Sequence, residues 1–185
     1  MKKFILFSLL VFSVVASAQV APIQADRPDQ TETPAIVPKG MFQVESGFGY
    51  QKEDADNATW TLPAALWKYG VNENFELRLI TEIEIENKET ENNYGLKPIL
   101  IGCKIKMCEE EGIIPLTTGY AISEKMGSYV ELFGFGPKKD KANHNFDGGI
   151  TYLINHNFML DLSSGVGLTA NAPDYYIAFG FSYRM

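Results

Sequence analysis

Charged side chains at every second position are the first residues of this chain that could do chemistry. Glu76, Arg78, Glu82, Glu84 and Glu86 alternate with Phe75, Leu77, Leu79, Ile83 and Ile85, and Glu45, Asp161 and Arg184 hold similar places in three other alternating runs. A pore lined by Glu45, Glu76, Arg78, Glu82, Glu84, Asp161 and Arg184 has more carboxylates than cations. It would concentrate cations and repel anions. The plainer reading is the solvated face of a sheet, or a lumen closed by its own side chains. Just before the first run stand Asp26, Arg27, Asp29, Gln30 and Glu32. They could fold into the lumen as a plug, with Arg27 pairing a strand carboxylate, or hang free as a Pro-rich extension.

Other reactive residues are sparse. His144 and His156 sit at strand ends without a second His or Cys at ligand spacing, so no metal site is expected. His144 near Asp147, with Ser163 or Ser164, is the nearest approach to a hydrolase, yet no nucleophile elbow accompanies them. Phosphate-loop and dinucleotide glycine patterns are absent, so neither a cofactor nor an enzyme is expected. Cys103 and Cys108 could bridge only if the strand carrying them ends near Met107, because five extended residues span about 16 Å.

What must position these residues is a set of strands. Period-two patterning begins after Gly40, and the polar turns Val71–Asn74 and Asn155–Asn157 interrupt it. About nine strands are expected, near 41–51, 59–69, 74–86, 96–107, 113–122, 127–136, 144–154, 158–168 and 174–184. Pro63 marks an edge, bulge or rim. Most runs reach about ten residues, the length that crosses a hydrocarbon layer when tilted, whereas strands of soluble domains average about 5–6. Short turns alternate with longer, more polar connections, as in outer-membrane barrels. Trp60, Trp67, Tyr69, Tyr120, Tyr129, Tyr152, Tyr175 and Tyr183 are candidates for interfacial girdles.

Residues 1–18 read as a cleaved signal peptide: Lys2 and Lys3, an apolar run from Phe4 to Val15, then Ala16-Ser17-Ala18. Residues 19–40, with four prolines, form an arm or lumen plug, and residues 41–185 the barrel. Sixteen Lys and Arg against 23 Asp and Glu, a net charge of −7, exclude a basic footprint for nucleic acid. Beyond residue 19 no apolar stretch is long enough for a transmembrane helix.

Three segments, ADRPDQTETPAIVPKGMFQVESGFGY, LKPILIGCKIKMCEEEGIIP and the stretch from Gly119 to Arg184, resemble the outer-membrane proteins labelled for the MetA-pathway of phenol degradation. The resemblance implies an antiparallel up-and-down transmembrane β-barrel, here of about 8–10 strands, passing small, hydrophobic or aromatic molecules. Family members continue with further strands where Pro115 here runs straight into Leu116, so the chain reads as internally shortened. Tyr175, Phe179, Phe181 and Tyr183 resemble the terminal signal read by the barrel-assembly machinery, although the last residue is Met185. Expected partners are therefore outer-membrane lipid, that machinery and an unspecified small solute. Two other readings stay open: a soluble periplasmic lipocalin-like barrel, whose alternation would be the same with the faces exchanged, and a shortened, non-functional pore.

Overall fold

The computed structural model describes residues 20–28, 32–87, 92–106, 117–135 and 143–185. The expected signal peptide, Asp29, Gln30 and Cys108 lie outside them. The strands are β1 (Phe42–Lys52), β2 (Ala58–Asn72), β3 (Phe75–Asn87), β4 (Asn92–Leu96), β5 (Leu100–Ile105), β6 (Thr117–Ala121), β7 (Met126–Phe135), β8 (Asn143–Asn155), β9 (Phe158–Gly167) and β10 (Tyr175–Arg184). They build one antiparallel sheet in the order β4-β3-β2-β1-β10-β9-β8-β7-β6, with β5 also on β3.

Ten strands occupy nine lanes. β4 lies against Ile83–Asn87 and β5 against Phe75–Ile80 of the same neighbour. The lane is broken at Pro98, which has no N–H for the ladder; Lys97 just before it still donates to the Glu82 carbonyl at 2.9 Å. The expectation of about nine strands thus matches the lanes, and the span expected at 96–107 is this broken lane. Pro63 sits in a bulge, where the β2–β3 register shifts between Thr61 and Ala64.

First and last strands pair along their whole length, from Lys52 with Tyr175 to Gln43 with Arg184, and Phe42 and Met185 exchange both backbone hydrogen bonds beyond that. The open edges fall instead in the middle of the chain, at β4/β5 and β6. Neighbours alternate in direction throughout the ladder, so counting from β1 both ways shows that β5 and β6 run the same way. They cannot close on each other as antiparallel neighbours. The tight β2–β3 and β8–β9 turns, the β6–β7 turn and both ends of the barrel chain lie at one end, the turn end. The β1–β2 and β9–β10 connections lie at the other, the loop end.

The pleat sorts side chains by parity, and the faces are inverted relative to a water-soluble domain. Gln43, Glu45, Lys68, Glu76, Glu131, Asn145, Asp147, Asp161, Ser163, Ser182 and Arg184 are buried, while Phe48, Leu77, Ile83, Val130, Phe146, Leu162, Val166, Ile177 and Phe179 are exposed. The sheet curls with its polar face inward: Phe133 of β7, Glu82 of β3 and Thr61 of β2 line a single cavity. This sidedness opposes a lipocalin-like arrangement, whose apolar face would point in.

Aromatics on the outer face gather at two levels. Tyr50 packs on Trp60 and Tyr175 near the loop end, and Phe42 on Trp67, with Phe158 on Tyr183, near the turn end. Trp60 and Tyr69 on β2 are separated by the bulge and so by eight ladder steps, about 26 Å along the strand and about 20 Å along the axis at a tilt of about 40°. Tyr129 departs from the expected girdle. It is buried on the inner face, because it shares the parity of Glu131.

Candidate functional site: the polar lumen and its arm

Residues 20–28 and 32–40 run along the inner face, the latter leading into β1. Gly40 takes φ +77°, a left-handed conformation that costs glycine little, and its N–H donates to the Gly70 carbonyl as the chain turns into the strand. Pro22, Pro28, Pro34 and Pro38 keep the arm out of the ladder, so strand side chains satisfy its backbone instead. Glu45 accepts the N–H groups of Asp26 (2.9 Å) and Arg27 (3.1 Å), and Glu76 that of Val37 (2.8 Å). Gln43 donates to the Gln24 carbonyl, and Arg184 to that of Ala21.

Asp26 is the centre of one charge cluster. Its carboxylate is paired with Lys68 of β2, Arg78 of β3 (2.9 Å) and Lys104 of β5 (3.6 Å). Lys68 also meets Glu45, and Arg78 meets Glu76 and Glu32, both at 2.8 Å. Burial alone would raise the Asp26 carboxyl, but Lys68, by charge and hydrogen bond, and then Lys104 and Arg78 hold it below the ordinary carboxylate range.

A second arrangement joins Arg27 to Asp161 of β9. The guanidinium grips the carboxylate with two donors, Nη2 to Oδ1 at 2.9 Å and Nε to Oδ2 at 3.3 Å. It fits because Gly47 of β1 and Gly180 of β10 are register partners, and a Cβ on either would overlap the guanidinium. Asp161 is the β9 partner of Gly180, so the three residues form one row.

A third group surrounds Asp147. Tyr129 and Tyr176 both donate to its Oδ2. Each ring lies over a glycine, Gly149 and Gly165 respectively, where a side chain would collide with it. Glu131 stands directly opposite on β7.

Of the residues singled out from sequence, Glu45, Glu76, Arg78, Glu82, Glu84, Asp161 and Arg184 all share the inner face. Glu82 and Glu84 meet Lys97. Asp26, Arg27 and Glu32 join these side chains. His144 and Asp147 differ in parity and so point to opposite faces, as do Ser163 and Ser164; the suggested hydrolase set is not assembled. Cys103 is exposed and free among the described residues, and its candidate partner Cys108 lies outside them. Lys68, Lys104 and Tyr176 are members of the lumen set that residue type does not single out. Their signal in the sequence is parity, and it is obscured around Lys68 and Tyr176 by the outward aromatics Trp67, Tyr69 and Tyr175.

Several cavities border the arm, two of them at Arg27. One of about 340 Å³ is lined by Gln51, Thr61, Glu82, Phe133, Ser163 and Tyr176, the other of about 410 Å³ by Ile23, Tyr120, Tyr129, Thr151 and Met159. Arg27 and Pro28 line both, so the arm divides the lumen at that point.

Comparison with known proteins gives one sequence-level match. The family model described as Putative MetA-pathway of phenol degradation matches residues 25–115 and 109–185, the two matches meeting between β5 and β6, where the sheet has its open edges. No curated protein sequence matches. Among solved structures, a de novo designed transmembrane β-barrel is 16% identical, with TM-score 0.37, covering 80% of this chain and 97% of its own. The attachment invasion locus protein Ail of Yersinia pestis is 12% identical in its crystal structure, with TM-score 0.34, covering 80% of this chain and 99% of its own.

Proposed function

The chain belongs to the Putative MetA-pathway of phenol degradation family, and from that premise we propose that it is an outer-membrane β-barrel that admits small solutes through its polar lumen, with residues 20–40 as a plug. The observation that carries this is the pair of cavities of about 340 and 410 Å³ meeting at Arg27 and Pro28 inside an inverted sheet. Two bands of outward aromatics about 20 Å apart are close to the apolar height of such barrels, about 25 Å. The large exposed apolar face favours lipid as its solvent, since water-soluble monomers seldom expose so much. In this reading the short turns face the periplasm, and β10 is the strand that the assembly machinery reads. With Glu82, Glu84, Glu131, Asp147 and Asp161 against Arg27, Lys97 and Arg184 beyond the Asp26 cluster, the lumen favours cations.

Unboiled protein in detergent should migrate differently from boiled protein, and deleting residues 20–40 should convert a closed or small conductance into larger discrete steps in planar bilayers. Protein that stays monodisperse without detergent defeats the membrane reading. The open edges at β5 and β6 favour a second reading, a barrel that no longer conducts. Its signature is an arm-deleted variant that is heat-modifiable but electrically silent.

A further inference from the structure

We propose that Gly47, Gly180 and Asp161 form a receptor for guanidinium-class cations, which Arg27 fills as an internal ligand and from which a solute cation can displace it. The inference rests on the reading of the lumen as a solute path and names the class of solute. Its starting point is an asymmetry between the two ion-pair groups. Around Asp26 the barrel supplies the cations Lys68, Arg78 and Lys104, and of these Lys68 and Arg78 also hold the barrel carboxylates Glu45 and Glu76. At Asp161, among the described residues, the barrel supplies only the anion. The cation that pairs it is Arg27, from the arm.

The Asp161 side chain is fully buried, whereas that of Arg27 is 22% exposed and borders both cavities. An arm that withdraws uncovers the Asp161 carboxylate to the cavities that Arg27 now borders, where a solute cation can take the place of the guanidinium. The shape of the notch selects which one. Two paired glycines expose bare backbone where the planar group lies, and the carboxylate beside them offers two oxygens to a fork of parallel donors. A compact ammonium or a hydrated alkali ion can satisfy the charge but not the plane or both oxygens. Glu82, on the wall of the 340 Å³ cavity that leads to Arg27, adds negative charge to the approach.

The test uses the full-length chain in detergent micelles and its Arg27→Ala variant, with guanidinium chloride, sodium chloride and tetramethylammonium chloride at millimolar concentration and matched ionic strength. Thermal loss of the heat-modifiable form is the readout. In R27A, guanidinium should raise the midpoint saturably, with half-effect at a concentration at least tenfold lower than in the parent chain, where Arg27 competes. The R27A/D161N double variant should not respond. If R27A does not assemble, R27K, which keeps the charge but loses the fork, takes its place with the same expectation. Equal stabilisation by sodium, an unresponsive single variant, or a response that survives D161N overturns the receptor. Conductance is recorded separately: binding without conduction overturns the pore and leaves the receptor, and conduction without selective binding does the reverse.

Discussion

Replacing Asp26 by Asn removes the arm carboxylate that meets Lys68, Arg78 and Lys104 together. At an effective dielectric constant of about 20, each contact of this kind is worth about 4 kcal/mol of Coulomb attraction at 4 Å, most of it offset by desolvation. Breaking a buried pair typically costs about 3–5 kcal/mol because the partner is stranded. Here the partners are not stranded completely: Lys68 keeps Glu45, and Arg78 keeps Glu76 and Glu32. The expected loss is therefore about 2–4 kcal/mol, which includes the weakened bond from the Thr33 N–H, 2.9 Å from Asp26 Oδ1. Urea unfolding in lipid vesicles, followed by the fluorescence of Trp60 and Trp67, measures it. A double-mutant cycle of D26N with Lys68→Met isolates the pair. A loss below about 0.5 kcal/mol would mean that the arm rests on the sheet without bracing it, and the reasoning fails.

Three further outcomes rest on the same geometry. Because Asp26 is held below its ordinary value, its contribution is complete above the unfolded carboxyl's range and is lost only as pH falls through the lower folded value. Protease protection of the arm should thus persist to pH below about 4 and be lost beneath that, and D26N should abolish the acid step; a step near neutrality contradicts this. Leu162→Arg places a charge on the outer face and should cost about 2–4 kcal/mol in a bilayer, whereas a change within about 0.5 kcal/mol would argue against lipid contact there. Gly165→Ala drives a Cβ into the Tyr176 ring and Asp147, so a loss of about 1–3 kcal/mol is expected by urea titration, and an unchanged midpoint would show that the ring is not held over the glycine.

Most strands and much of the lumen set were legible in the sequence, because strand parity is a local property; Lys68, Lys104 and Tyr176 were not singled out. Glu76 and Leu77 face opposite ways whatever their neighbours do. Pro63 announced an edge, a bulge or a rim, since a missing N–H cannot be repaired within a ladder, and the register shift in β2 shows which. Tyr129 shows the same rule overriding residue type: an aromatic suggests a girdle, but its even spacing from Glu131 puts the ring inside.

Which face is concave, and which strands are neighbours, belonged to the tertiary structure alone. Alternation reads the same for a barrel with polar residues inside or outside, and only curling around the arm distinguishes them. The pairing of Arg27 with Asp161, 134 residues away, requires β1, β10 and β9 to lie side by side so that Gly47 and Gly180 open the notch between them. Likewise the family resemblance implies a shortened middle at Pro115 and Leu116, but the relative direction of the strands on either side of it was not legible in the sequence. With first and last strands zipped together, β5 and β6 point the same way, and the direction of hydrogen bonding keeps those edges from joining as antiparallel partners.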